Sequence, residues 1–238
     1  MNKSTLAVLV MGGVCALRPA VGGPTANSNL GRQYAIGSSS LKHWSCGMEG
    51  KMGERKLELE LGPAADLEFV RGLVFVGYDV LPWATVYGTV GLIDVELDGV
   101  EADEADTEYG VGLHFNLLDH ELMDPGLIED RLRVNADVRY ASSEAMFMGR
   151  TLEWEETTAE LTVSIVNDLT GNKLFWPQSV ALYAGPAYSA LDSDDFEAEE
   201  TFGFVGGIEI FASKRLTLGL GAEMYDSAAF SSRLSLRF

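Results

Sequence analysis

Cysteine is almost missing from this chain of 238 residues: Cys15 and Cys46 are the two it has. Cys15 lies in an N-terminal stretch expected to be removed, and a single remaining thiol cannot make an internal disulfide. Long apolar runs are also missing after the first residues. A membrane-crossing helix needs about 20 consecutive apolar residues, so none is expected. Positive charge is scarce, with 17 Lys and Arg against 36 Asp and Glu and a formal net charge of −19. Nonspecific nucleic-acid binding draws on clustered Lys and Arg and is therefore excluded. Histidine is rare as well: His43, His114 and His120 are the complete set. His43 falls in the N-terminal segment, His120 in an expected turn and His114 mid-strand, so none is positioned with the partner that a nucleophile or general base requires. There is no Walker loop, dinucleotide fingerprint, paired-Cys zinc site or zinc-protease helix. The sequence therefore points away from an enzyme, from a cofactor and from a tightly held metal.

The chain opens as a secretory signal. Lys3 precedes the apolar run Leu6 to Met11, and small residues follow. Residues 1–23 are assigned to this signal, with Val14-Cys15-Ala16 offering cleavage after Ala16. Residues 24–55 are rich in Gly and Ser and read as a flexible N-terminal segment. Residues 56–238 alternate apolar and polar positions with turns between, the pattern of an all-β domain.

Ten strands are expected there: 56–61, 68–78, 84–95, 108–118, 131–140, 152–167, 179–188, 201–211, 216–226 and 230–238. Eight or twelve follow if the N-terminal segment or the strand at Lys56 is assigned otherwise. Trp154 is out of step with Ala159, Leu161, Val163 and Ile165, which predicts a bulge near Glu156. Most of these strands approach the ~9–11 residues that a tilted strand needs to cross a bilayer.

The last strand is the most specific feature. Phe230, Leu234, Leu236 and Phe238 fall on one face, and Ser231, Arg233, Ser235 and Arg237 on the other. A strand that ends on an aromatic last residue resembles the closing strand of bacterial outer-membrane β-barrels. Where that family often carries a Gly five residues before the end, this chain has Arg233. The resemblance covers Lys56 to Phe238 and is closest to small outer-membrane barrels in general. It implies an antiparallel, up-and-down transmembrane β-barrel in the outer membrane of a Gram-negative bacterium. It also implies that Leu234, Leu236 and Phe238 form the signal read by the barrel-assembly machinery. The N-terminal segment would then be periplasmic, as would the turns at 79–83, 119–130, 168–178 and 212–215.

In such a barrel the polar faces point inward, because a charge facing lipid costs roughly 2–4 kcal/mol at the midplane. Arg71, Arg133, Asp137, Arg139, Glu160, Glu209, Glu223, Arg233 and Arg237 are accordingly expected to form a lumen network, with Lys56, Glu58 and Glu60 on the inward face of the first strand. Long side chains of both signs would fill a narrow interior. Trp83, Phe175, Trp176, Phe211 and Phe238 are placed at one membrane interface. Tyr109, Tyr140, Trp154, Tyr188 and Phe230 are placed at the other, as two aromatic girdles.

Two outer loops, 94–107 and 191–200, are strongly acidic. Asp98, Glu101, Asp103, Glu104, Asp106, Asp192, Asp194 and Asp195 are the candidate cation-binding residues. Ca²⁺ or Mg²⁺ held loosely by such oxygens would bridge to anionic lipopolysaccharide. The plainer reading is a solvated, mobile charge block. Expected partners are outer-membrane lipid and lipopolysaccharide. The functions in view are a structural or surface-interaction barrel, a narrow porin-like channel, and, third, a membrane-embedded hydrolase.

Overall fold

The computed structural model describes residues 44–59, 64–81, 83–103, 105–122, 129–147, 149–168, 179–213 and 215–238. The signal, residues 24–43 with His43, and Glu60, Glu104, Phe175 and Trp176 lie outside them. The strands are β1 (Trp44–Leu59), β2 (Ala65–Leu81), β3 (Ala84–Leu97), β4 (Val100–Glu101), β5 (Asp106–Leu122) and β6 (Glu129–Phe147). They continue as β7 (Arg150–Asp168), β8 (Ser179–Asp192), β9 (Phe196–Ala198), β10 (Phe202–Phe211), β11 (Leu216–Met224) and β12 (Ala228–Arg237).

Ten long strands pair antiparallel with their neighbours in chain order. The ring closes where β12 pairs with β1 and β10 pairs with both β8 and β11. Closure leaves no strand edge, which is what a sheet in lipid requires. The short β4 extends the end of β3, and β9 bridges the ends of β8 and β1. The start of β1 and the end of β12 lie at one rim, where the Phe238 amide donates to the Trp44 carbonyl at 2.9 Å. The β2–β3, β5–β6, β7–β8 and β10–β11 connections share that rim, as the parity of an even-stranded barrel dictates.

The first strand starts earlier than the sequence reading placed it. Trp44–Arg55, assigned to the flexible segment, is the longer part of β1 and pairs with both β2 and β12. Its alternation is hard to read because glycine sits on both faces. Gly47 and Gly53 are inward with Glu49, Lys51 and Arg55; Gly50 is outward with Met48 and Met52.

The expected bulge near Glu156 is absent, and β6–β7 pairing runs unbroken from Glu129–Asp168 to Phe147–Arg150. Trp154 was out of step because it is an inward residue, not because the strand is kinked. The register shifts fall elsewhere, between Asp79 and Leu81 and between Asn116 and Leu118. The second reverses the parity of β5, so His114 and Asp119, of opposite parity, both turn inward.

Two zones stack along the barrel axis. Over the half nearer that rim, apolar residues such as Val111, Leu161, Leu182 and Leu220 point outward and are exposed. Beyond that band the faces invert. Leu57, Leu67, Phe69, Val95, Trp154 and Phe196 pack inside as an apolar core, while Lys56, Glu58, Asp66 and Glu68 face out. Lys56 and Glu58 therefore do not line the lumen as expected. Above the lipid, a strand that faces water turns its polar side out and packs its apolar side inward.

The acidic segment 94–107 is correspondingly not a loose loop. β3 reaches Leu97, and Asp98-Gly99 turns the chain into β4 with φ of 47° and 80°. Positive φ at both central residues is the turn that suits a two-residue hairpin, and Asp-Gly is a preferred pair for it. The segment 191–200 is likewise built, through β9.

Candidate functional site

The lumen is the chemically distinctive part of the barrel. Period-two alternation carries charged side chains inward from eight strands, and they pair across the interior. Nearest the rim where β1 starts and β12 ends, Asp119 accepts from Arg131 and from Arg133 at 3.1 Å, and Arg237 donates to Asp79. Midway, Glu49 faces Arg139 at 3.3 Å and Arg233 at 3.6 Å, and Lys51 donates to Glu223 at 2.7 Å. Farther out, Arg71 bridges Glu108 at 3.1 Å and Glu156 at 2.9 Å. Arg55 reaches Asp226 at 3.5 Å and donates to Ser189 Oγ at 3.0 Å.

These groups are buried, and Glu108 is fully enclosed. Buried charges persist only when paired and hydrogen-bonded. Several guanidinium groups also lie over aromatic faces: Arg233 on Phe75 at 4.2 Å, Arg55 on Tyr225 at 4.4 Å and Arg71 on Phe69 at 4.8 Å. That stacking is a second source of support for a cation out of water. Burial, reinforced by the Glu223 carboxylate, pushes the phenol of Tyr225 in the outer β11–β12 turn well above its ordinary range.

Every residue of the expected lumen network lies on the inner face. Arg71, Arg133, Arg139, Glu209, Glu223, Arg233 and Arg237 are buried, and Asp137 and Glu160 are half-buried against a central cavity of about 100 Å³. Glu49, Lys51, Arg55, Tyr87, Asp79, Asp119, Arg131 and Glu156 complete the pairing without having been named in that network. Glu49, Lys51 and Arg55 sit in the stretch read as flexible. Asp79 and Asp119 were assigned to turns. The inward parity of Glu49, Lys51 and Arg55 was the available clue.

His114 donates to no serine. Its Nδ1 lies 3.2 Å from Asp137, and its Nε2 has no hydrogen-bond partner among the described residues. A Ser-His-Asp arrangement places the serine hydroxyl on that nitrogen. Tyr87 is seated on the same Asp137 by a 2.6 Å hydrogen bond. Gly112 makes room for its ring, since a Cβ there would collide with the phenol.

The apolar core seals the lumen at the outer end. Leu57, Val95 and Trp154 meet across it, and Trp154 lies 6.3 Å from Phe196. Trp154 thus leaves the outer girdle assigned to it. Phe211 leaves the inner one, being 1% exposed and packed on Val166 and Ala181. Trp83 and Phe238 face outward at the inner rim, joined by Trp44 and Tyr78 with ring centres 4.9 Å apart. Tyr109, Tyr140 and Phe230 face outward on the opposite side, and Tyr188 meets Phe202 edge-on at 5.1 Å. Leu234 and Leu236 lie on the lipid-facing side of β12, paired through the strand to β1 and β11, and Phe238 follows the strand, exposed, with its amide on the Trp44 carbonyl.

The fold is that of a small outer-membrane β-barrel. No protein-family model matches the sequence, and no curated protein matches it either. Among solved structures it is similar to neisserial surface protein A, with 10% identity over 82% of this chain and 97% of that one, at a TM-score of 0.38. The β-domain of the Bordetella autotransporter BrkA matches with 10% identity, 82% and 98% coverage and a TM-score of 0.38. An outer-membrane channel from Pseudomonas putida F1 matches with 9% identity, 85% and 100% coverage and a TM-score of 0.35. At these values the likeness is one of general shape. The fold follows instead from the closed pairing and from the apolar band outside a charged lumen.

The outer acidic residues form rows rather than pockets. Glu54, Glu68, Glu96 and Glu101 are direct cross-strand neighbours on β1, β2, β3 and β4. Glu155, Asp192, Glu197 and Glu58 form a second row over β7, β8, β9 and β1. Of the expected cation-binding residues, Asp98 accepts from the Asp66 amide, Asp103 from the Gly149 amide, and Asp195 from Arg150. Glu101 and Asp192 join the rows, Asp106 opens β5, and Asp194 lies in the turn before β9. Among the described residues no group of three or more His, Cys, Asp or Glu converges to hold a metal ion.

Proposed function

We propose that this protein is an integral barrel of a Gram-negative outer membrane with a structural and surface-interaction role, presenting a rigid acidic crown outside the lipid. The row of directly opposed carboxylates formed by Glu155, Asp192, Glu197 and Glu58 carries this reading. Like charges facing each other across strands destabilise a sheet. A crown that retains them gains from counter-cations, and divalent ions shared with lipopolysaccharide phosphates would supply these. The attraction is diffuse and needs no ligand cage.

The secretory start and the terminal strand support export and insertion by the barrel-assembly machinery. A second reading, a narrow channel, is favoured by the charged cavity. It requires the apolar cap to move, whereas the structural reading uses the cap as it stands.

Replacing Glu58, Glu155 and Glu197 by Gln together with Asp192 by Asn tests the crown. The expected variant is more stable than the parent in low salt, by roughly 0.2–1 kcal/mol for each opposed pair relieved. The parent gains stability with millimolar Mg²⁺, and the variant loses that response and its cation-dependent binding to lipopolysaccharide. Equal Mg²⁺ responses, measured by denaturant unfolding in vesicles, would remove the crown from the account.

A further inference from the structure

β8 carries Pro186 in mid-strand, and a closed barrel has no free edge to place it on. Proline has no N–H, so a ladder must lose a rung there. The register shows which ladder. Pairing of β8 with β10 runs unbroken through Gly185–Val205 and Pro186–Phe204. Pairing with β7 stops at Glu160–Ala187 and resumes in the same register at Val163–Ala184. The missing donor therefore faces Leu161 on β7. Successive residues of a strand turn their N–H groups to opposite neighbours, so the amides of Leu161 and Val163 face β8 and those of Glu160 and Thr162 face β6. On the β6 side the pairs Asp137–Glu160, Ala136–Leu161 and Asn135–Thr162 are intact.

The surroundings do not make up the loss. Leu161 and Leu182 are exposed on the outer face, so the gap lies in the apolar band, where lipid supplies no hydrogen bond. A Cβ on Gly185 would stand 1.9 Å from the Leu161 carbonyl oxygen, so that oxygen rests against bare backbone. Behind β8, Gly206 and Gly207 stand opposite Ala184 and Tyr183, which leaves little side chain to brace the strand. On the inside, Glu160, Thr162 and Tyr183 line the central cavity. The two register shifts differ in place, since they sit by the inner rim, where the Asn116 amide donates to the Trp83 carbonyl. A missing backbone bond and sparse packing together make a segment open locally ahead of its neighbours.

We propose that the β7–β8 contact at Gly185–Pro186 is a built-in lateral seam, where the barrel wall parts locally while the rest stays paired and the central cavity is reached from the side without movement of the apolar cap. This does not depend on the role of the outer crown.

Amide hydrogen exchange of the ¹⁵N-labelled full chain, folded in detergent micelles, tests the seam residue by residue. After correction for intrinsic rates, the Leu161 and Val163 amides should exchange about three- to tenfold faster than the Glu160 and Thr162 amides of the same strand and depth, the factor that one net hydrogen bond supplies. Pro186→Val keeps an apolar residue toward lipid and returns the N–H. It should remove the difference and leave Glu160 and Thr162 unchanged. The parent measurement decides by itself should that variant fail to fold. Equal protection on the two sides of β7 in the parent, or a Pro186→Val variant that keeps the difference, would overturn the proposal.

Discussion

Arg71→Met should cost about 3–5 kcal/mol of barrel stability, the range for removing one partner from a buried ion group. Arg71 is 4% exposed and lies between Glu108 at 3.1 Å and Glu156 at 2.9 Å, so its loss leaves two enclosed carboxylates facing each other. Ser189 still donates to Glu156 at 3.0 Å, but a neutral hydroxyl does not offset the charge. Adding Glu108→Gln and Glu156→Gln to Arg71→Met should recover most of the loss, because replacing a whole buried ion group by neutral residues is often close to neutral. Denaturant unfolding in lipid vesicles, followed by tryptophan fluorescence, measures both. A mild single variant, or a triple variant no better than the single one, would mean that the triad does not hold the outer lumen together.

Depth along one strand face should matter as much. Leu161→Arg is expected to cost roughly 2–4 kcal/mol, the range for a cation on the lipid face near the bilayer midplane. Leu161 points outward at 45% exposure, midway between the Tyr140 level and the inner rim. Glu153→Arg lies on the same face of β7, beyond the girdle. It should change stability by no more than about 0.5 kcal/mol, as for an ordinary surface position. Unfolding midpoints of the two variants give the comparison. Equal costs would contradict the placement of the lipid band, whereas a soluble barrel would tolerate both substitutions alike.

The contrast between β6 and β1 shows how much of this was legible in the amino-acid order. In β6 the residues Arg131, Arg133, Asn135, Asp137 and Arg139 alternate with Leu132, Val134, Ala136, Val138 and Tyr140, so the strand and its inner face can be read directly. The ten-strand count and the inner turns followed from the same alternation. In β1, glycine on both faces blurred the contrast and hid Glu49, Lys51 and Arg55, which anchor the middle and outer lumen. The cap was illegible for a different reason. Alternation shows that a strand has two faces without saying which one meets the core, and the answer reverses where the barrel leaves the lipid. Trp154 and Phe211 look like girdle residues until their inward parity is known. The pairing of Glu108 and Glu156 with Arg71 depends on barrel closure, which joins residues 37 and 85 positions apart.

Leu57, Phe69, Trp154 and Phe196 close the lumen at its outer end. Single-channel current from the folded full chain in a planar bilayer tests it most directly, with Trp154→Ala plus Phe196→Ala measured beside it. The parent should be silent across a salt gradient, and discrete openings should appear once the two aromatic rings are removed. A steady conductance from the parent would contradict it, and the charged lumen would then have to be a path that the cap does not block.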